Sequence, residues 1–332
     1  MRARAPAFWR RRGAFAWLLY PLSLLFGALA RMRRQRTRVE RLPVPVIVVG
    51  NIAVGGSGKT PVVQWLVARL RAAGYSPGIV SRGHGGTVTG VAQVPADGDP
   101  AVYGDEPVLL ASSCACPLVV GRDRPAAARE LLRLYPGCDV IVSDDGMQHY
   151  RLGRAMEIAV LDPVTLGNGL LLPAGPLREP LGRLGEVDLV IAHGALSPAL
   201  VTALGEVPCY PMALGGGVLR SLDDPSRIVP IGTMAGRAVH AVAGIGRPER
   251  FFDQLEAFGI HPIRHPFPDH HVFVPEDLSF GDAVPILMTS KDAVKCRAFA
   301  PGYAWEFPVE AQIGSGAAER ILEKLKNGRT TA

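Results

Sequence analysis

The chain has 332 residues, 48% of them hydrophobic and 20% charged, with a formal net charge of +6. That composition describes a packed protein with room for two cores and excludes a disordered or low-complexity chain. The basic excess is local: Arg2, Arg4, Arg10, Arg11 and Arg12 precede an apolar run and Arg31, Arg33, Arg34, Arg36 and Arg38 follow it, so the spread-out basic footprint of a nucleic-acid-binding body is missing.

Residues 13–30 carry no charge. A signal peptide fits the basic start, a spanning helix fits the length only marginally with Pro21 inside it, and a buried core helix is the plain structural alternative. An interfacial anchor fits best, with an aromatic and leucine face in the membrane surface and arginines on lipid phosphates. Arginines on both flanks keep both ends on the cytoplasmic side.

Val46–Gly50 reads as a strand, followed by a glycine-rich turn and a helix over residues 61–73. The turn, Val54-Gly55-Gly56-Ser57-Gly58-Lys59-Thr60, has the layout of a phosphate-binding loop. Glycines let backbone N–H groups curl round a phosphate, Lys59 reaches the outer phosphates, and the Thr60 hydroxyl holds Mg²⁺. Ala53 stands where the strict pattern has glycine, so the loop is a variant one. Further strands are expected at residues 76–81, 117–120, 139–143, 158–162 and 189–193, with helices at 103–111 and 124–135. Strands alternating with helices imply a parallel sheet. Around residues 212–236 the texture becomes that of a linker or hairpin, and a second α/β unit follows. Cys114, Cys116, Cys138, Cys209 and Cys296 are odd in number and show no CxxC spacing. They give no disulfide framework or zinc ribbon and fit reduced thiols in the cytosol.

Four clusters carry chemistry. Asp144 and Asp145 close an apolar strand, where open α/β sheets bind ligands, and a carboxylate there can hold Mg²⁺ beside Thr60; a strand-end turn is the plain alternative. Asp105-Glu106 opens a helix, which alone would be a cap, yet a kinase needs a carboxylate near its acceptor hydroxyl. Asp269-His270-His271 reads as an orienting pair rather than a zinc cluster. Arg178-Glu179 suits a phosphate and a metal or hydroxyl, with a solvated ion pair as the alternative. Arg82, Arg122 and Arg124 are further candidate phosphate ligands with a surface alternative.

Together these residues strongly resemble the tetraacyldisaccharide 4′-kinases of lipid A biosynthesis. The likeness runs through Val49 to Pro61, Ser81-Arg82-Gly83-His84-Gly85-Gly86, Gly104-Asp105-Glu106-Pro107 and Asp144-Asp145-Gly146-Met147-Gln148-His149. It continues through Leu172 to Pro180, Ala243-Gly244-Ile245-Gly246, Asp269-His270-His271 and Thr289 to Lys295. His84 stands where the family more usually has an aromatic residue.

The resemblance implies transfer of the ATP γ-phosphate to the 4′-hydroxyl of a membrane-embedded disaccharide 1-phosphate, giving lipid IVA in lipopolysaccharide synthesis. ATP and Mg²⁺ are the implied cofactors. Asp105 is the implied general base, paired with His270 (His271 being the alternative), and Lys59 holds the β/γ-phosphates. Val54, Gly55, Gly56, Ser57, Gly58, Lys59, Thr60 and Arg178 bind the nucleotide; Thr60, Asp144, Asp145 and Glu179 serve the metal. The expected partners are the glycolipid and the inner-membrane surface, with no nucleic acid and no obligate protein partner. The expected location is the cytoplasmic face of the inner membrane, peripheral or monotopic. The expected fold is a P-loop NTPase-like α/β parallel sheet flanked by helices. A smaller α/β domain and an amino-terminal membrane-associating helix complete it. The expected segments are residues 1–38, a core over 39–214, a linker or hairpin at 215–236 and a smaller domain over 237–332. A GTPase-type switch is the rival reading, but no Asn-Lys-x-Asp guanine signature occurs; a soluble ATP-dependent synthetase is the other, and the apolar amino-terminal run counts against it.

Overall fold

Strands buried on both faces read as continuous apolar runs, because helices cover each side of a parallel sheet. Val46–Gly50 is such a strand: every residue in it is buried, between Met156–Leu161 and Val140–Asp144, both parallel to it. The computed structural model describes residues 6–330; Arg2 and Arg4 of the basic cluster lie outside the described residues.

Among the described residues a nine-stranded sheet runs in the order Glu310–Ile313, Cys209–Gly215, Leu189–His193, Met156–Leu161, Val46–Gly50, Val140–Asp144, Pro77–Ser81, Leu118–Gly121, Val91–Gln93. Its two edge strands are antiparallel to their neighbours and every interior pairing is parallel. Lys59–Ala72 buries Val62, Val63, Leu66, Val67 and Leu70 on one face, the i, i+3, i+4 spacing of an amphipathic helix. That stripe meets Ile47, Val49, Leu110 and Val142 in one core.

A six-stranded sheet follows the order Ile228–Pro230, Val218–Ser221, Ala304–Phe307, Ile286–Thr289, Ala238–Ala243, His261–Pro266. Sheet membership divides the chain differently from the expected segments. The stretch read as a linker or hairpin, residues 215–236, is a hairpin: Val218–Ser221 and Ile228–Pro230 pair antiparallel and join the second sheet, so the stretch belongs to that unit and does not merely connect the two. Conversely, Glu310–Ile313 returns to pair with Cys209–Gly215, and the last helix, Ala317–Thr330, sets Ile321 and Leu325 into the core of the first sheet. His261–Pro266 was not foreseen as a strand: it carries Pro262 and Pro266, which a sheet tolerates only at an edge, and an edge is where it lies.

The apolar amino-terminal run forms a helix, Ala14–Arg36, longer than the run itself because its last turns are arginine-rich. Only Ala16 and Ser23 are buried in it. Ser23 Oγ donates to Leu171 O (2.8 Å) and accepts from Ala174 N (3.0 Å), and Trp9 Nε1 donates to Pro173 O (2.9 Å). One narrow stripe thus docks on residues 168–174, while Leu18, Leu22, Leu25 and Leu29 are each at least half exposed.

Candidate active site

The loop after the first strand is built to turn sharply and then open a helix. Gly55 and Gly58 have φ of 117° and 85°, the left-handed region that glycine enters without penalty. A second chain segment pins the start of the loop: Val54 N donates to Pro176 O (2.9 Å), and Arg178 N donates to Ile52 O (2.7 Å). This places Arg178 beside the loop rather than on a free surface. Ser57 is fully buried, and its hydroxyl has no hydrogen-bond partner among the described residues.

The carboxyl end of Val140–Asp144 lies next to the loop strand and carries the first acidic pair. The two carboxylates differ sharply. Asp144 is buried and accepts a hydrogen bond from Ser81 Oγ (3.0 Å); burial, then Glu106 and Asp145 nearby, hold its carboxyl up at about 6. Asp145 is partly exposed and lies 3.4 Å from Lys59 Nζ and 3.3 Å from Arg178 Nη1. Burial would raise its carboxyl too, but Lys59 and Arg178 outweigh that and push it well below the usual carboxylate range. Asp145 has a left-handed backbone, φ 46°, a conformation that Asp, Asn and His enter more readily than other side chains. Beneath the pair, the fully buried Arg124 donates to Asp144 O and Gly121 O, both at 2.9 Å.

Glu179 stands apart from this gathering. Its carboxylate accepts from Gln148 Nε2 (2.6 Å) and Tyr150 Oη (2.5 Å) and pairs with Arg183 Nε (3.2 Å). Those bonds fix Gln148, whose Oε1 then accepts from Arg178 Nη1 (3.2 Å). Glu179 is thus linked to Arg178 through Gln148.

The second acidic pair opens the helix Asp105–Cys114. It joins residues far apart in the chain: His270 Nδ1 lies 2.8 Å from Asp105 Oδ2, and Lys291 Nζ lies 3.0 Å from Glu106 Oε1, 3.2 Å from Asp269 Oδ1 and 3.4 Å from His270 Nε2. An ammonium has only protons to give. Nε2 is therefore the acceptor in this contact and Nδ1–H donates to Asp105. Burial works against an ionised Asp105, but the His270 hydrogen bond and the Lys291 charge prevail and lower its carboxyl to about 2. Burial likewise disfavours charge on Lys291, and Glu106, Asp105 and Asp269 overcome it, raising the ammonium above its ordinary value. His270 has φ 61° and its N–H donates to Gly244 O (3.2 Å). His84 packs edge-on against it at 5.4 Å between ring centres, so an imidazole serves where an aromatic ring is usual. His271 points elsewhere, with Nε2 2.8 Å from Asp277 Oδ2 and its ring between Phe267 and Phe273.

The two acidic pairs communicate: Glu106 contributes to raising Asp144, and Gln64 of the loop helix donates to Ser113 Oγ of the Asp105 helix (2.7 Å). Ser81, Gln148 and Lys291 stand within the sequence motifs without a task of their own, and the structure gives each a partner in the site. Tyr150 carries no signal in the sequence, because its contact with Glu179 spans 29 residues of chain, and Arg183, four residues after Glu179, lies outside every motif.

Comparison with known proteins agrees with this arrangement. The family described as tetraacyldisaccharide-1-P 4′-kinase matches residues 15–326. The chain belongs to the tetraacyldisaccharide 4′-kinase family. It is 64% identical over 333 residues to the tetraacyldisaccharide 4′-kinase of Azoarcus sp. strain BH72, covering 99% of this chain and 97% of that one. It is 61% identical to the protein of that name from Aromatoleum aromaticum, covering 100% of both. Among solved structures, it is similar to LpxK from Aquifex aeolicus in complex with ATP, with a TM-score of 0.77 and 28% identity, covering 93% of this chain and 99% of that one.

Proposed function

We propose that the chain transfers the γ-phosphate of ATP to the 4′-hydroxyl of a tetraacyldisaccharide 1-phosphate, the step that yields lipid IVA in lipid A biosynthesis. Family membership supports the activity. The observation that carries the mechanism is Asp105, held ionised by His270 and Lys291 of the second sheet beside a phosphate loop of the first. In this reading Val54 to Thr60 cradle the triphosphate, Lys59 neutralises its outer oxygens, and Arg178, aimed by Gln148, adds a second cation.

Mg²⁺ fits the donors present. Thr60 and Asp144 offer hard oxygens, with Asp145 beside them, and the orphaned Ser57 hydroxyl faces no protein partner. Among the described residues no group of three His, Cys, Asp or Glu could hold a metal alone, so phosphate oxygens would complete the shell, the usual mode for Mg²⁺. When bound, the ion draws charge from the phosphate oxygens.

Asp105 accepts the hydrogen bond of the acceptor hydroxyl and takes its proton. A carboxylate held at about 2 is a weak base. That suffices when the proton leaves late, because the oxygen becomes strongly acidic as it bonds to phosphorus. His270 Nδ1–H meanwhile fixes the rotation of the carboxylate.

The exposed leucine stripe of the amino-terminal helix, flanked by arginines, supports seating at the cytoplasmic face of the inner membrane, where the acceptor's acyl chains reside. Replacing Leu18, Leu22, Leu25 and Leu29 by Gln should release the protein from anionic vesicles with Tm unchanged, since none is buried. Unchanged sedimentation with vesicles would remove this part of the reading.

The test of the whole is a transfer assay with γ-labelled ATP, Mg²⁺ and detergent-dispersed tetraacyldisaccharide 1-phosphate. Label on the lipid that vanishes in Lys59→Ala supports the kinase. Steady hydrolysis indifferent to acceptor, with no labelled lipid, would overturn it in favour of a nucleotide switch.

A further inference from the structure

A second buried carboxylate joins the two sheets. Asp162 follows the strand Met156–Leu161, the neighbour of the phosphate-loop strand on the side away from Asp144, and it is only 1% exposed. Its backbone is fixed: Oδ1 accepts from Val164 N (3.1 Å), and its carbonyl accepts from Thr165 N (2.8 Å) and Thr165 Oγ1 (2.7 Å). The other carboxylate oxygen, Oδ2, takes two guanidinium groups of the second unit, Arg247 Nη1 at 2.6 Å and Arg250 Nη2 at 2.7 Å. A carboxylate removed from water is costly unless it is paired. The buried charge therefore favours this seating of the second sheet over any that pulls the arginines away.

Both arginines stand on a rigid piece. They open the helix Pro248–Ala257, which buries Phe251, Phe252 and Leu255 in the core of the second sheet. Gln254 of that helix donates to Leu214 O of the first sheet (2.9 Å). Arg247 lies three residues after Gly244, just beyond the strand Ala238–Ala243. Gly244 is in turn tied to the Asp105–His270 pair. Its N–H donates to Asp292 Oδ2 (2.9 Å) and its carbonyl accepts from His270 N (3.2 Å). The packing there is close: a Cβ on Gly244 would meet Asp292 Oδ1 at 3.0 Å and Pro268 O at 3.3 Å. One strand end thus carries the grip on Asp162 and the backbone of His270.

The two contacts flank the phosphate loop. His270 and Lys291 reach Asp105, whose neighbour Glu106 bears on Asp144. Arg247 and Arg250 reach Asp162 on the other flank, one strand spacing of about 4.8 Å from the loop strand. Held only at Asp105, the second sheet would be free to pivot there. Held on both flanks, it has one orientation, and with it one direction from which Nδ1–H meets the carboxylate. A misplacement of about 1 Å can cost a hundredfold in rate.

We propose that Asp162 is a positioning residue for phosphoryl transfer: through Arg247 and Arg250 it sets the orientation of the second sheet over the phosphate loop, and so the alignment of His270 with Asp105. This rests on the kinase reading above and adds to it a residue that acts through the Asp105–His270 pair.

Asp162→Asn keeps an acceptor for Val164 N and removes the charge. Its kcat should fall about tenfold, the lower range for disturbed acid–base positioning, with KM for ATP within about twofold. In an Asp105→Ala background the same substitution should cost less than about twofold, because contributions that act through one group do not multiply. Arg250→Gln should repeat the loss and Arg250→Lys should recover part of it. Arg250 is partly exposed, so these two variants carry the test if Asp162→Asn does not fold. A readout without turnover comes from the ring-nitrogen NMR spectra of the histidines, with His270 assigned through His270→Gln. Wild type should show the Nδ1–H tautomer alone, and Asp162→Asn and Arg250→Gln a mixture of both tautomers. An unchanged His270 spectrum, an equal loss of kcat in both backgrounds, or a raised KM for ATP would each overturn the proposal. The spectra decide the alignment whether or not label reaches the lipid, so absent transfer in wild type counts against the kinase reading alone.

Discussion

The two acidic pairs of the site are built from different materials. Asp144 and Asp145 are adjacent on one strand end, and their main partners, Ser81, Lys59 and Arg178, all belong to the first sheet and its loops. Asp105 and Glu106 are adjacent on one helix start, but their cations come from the second sheet, 165 and 185 residues further along the chain. The first pair exists once one sheet has folded. The second becomes an ionised, oriented carboxylate only when both sheets are in place. If the site works as proposed, this division puts the donor's phosphates on one body and makes proton acceptance depend on the other body's position.

The strongest way to break the first half is Lys59→Ala. It removes the cation over the outer phosphates and leaves Asp145 with Arg178 alone, and phosphoryl transfer should fall at least about a thousandfold, beyond the cost of one stabilising donor. Far-UV circular dichroism should be unchanged, because Lys59 sits at a helix start. Turnover near wild type would undo the phosphate-loop assignment.

Breaking the second half should cost less and leave nucleotide binding alone. Asp105→Ala is expected to lower kcat about a hundredfold or more, the scale of a lost general base, with KM for ATP within about twofold. If ATP affinity collapses instead, Asp105 belongs to the nucleotide side and the two halves are not separate.

The same residue sharpens the comparison through stability. The Asp105 carboxyl is lowered to about 2 in the folded chain from an ordinary 3.8. The folded state thus binds its proton less readily than the unfolded state, and the stabilisation is fully present above about pH 4 and lost as pH falls toward 2. Its size is on the order of 2 kcal/mol. In urea titrations, wild type should exceed Asp105→Asn by a constant margin from pH 7 to pH 5, and the margin should shrink below pH 4. A margin independent of pH down to 2.5 would mean that His270 and Lys291 do not hold the carboxylate as described.

How much of this was legible in the sequence follows the same division. The phosphate loop, its strand and the Asp144–Asp145 strand end are local patterns: glycines, an apolar run, a Gly-Lys-Thr. Sequence shows them because the physics that shapes them acts over a few residues. The edge strand His261–Pro266, the return of Glu310–Ile313 to the first sheet and the docking of residues 215–236 into the second are tertiary events. Prolines, short length and weak alternation left no periodic trace of them. Glu179 illustrates the point within the site. A glutamate after an arginine near a phosphate loop reads as a metal ligand, and nothing local in the sequence announces that Tyr150, Gln148 and Arg183 also bond it.

The adjacent histidines give the finest test, because sequence offered both and the structure separates them. His270 donates to Asp105 and receives Lys291, whereas His271 lies between Phe267 and Phe273 with Asp277 on Nε2. His270→Gln keeps an N–H near the carboxylate but loses the ring that fixes its rotation against His84. kcat should drop about tenfold, the lower range for disturbed acid–base positioning, with Tm little changed because the Gln amide still donates to the Asp105 carboxylate. His271→Gln should do the reverse: kcat within about twofold, and Tm lower by a few degrees as a half-buried hydrogen bond and two aromatic contacts go. Parallel kcat and Tm measurements on the two variants read both axes at once. If His271→Gln takes the larger loss in kcat, the cross-sheet pairing of Asp105 with His270 is not the one used in turnover, and the second half of the site must be rebuilt around its neighbour.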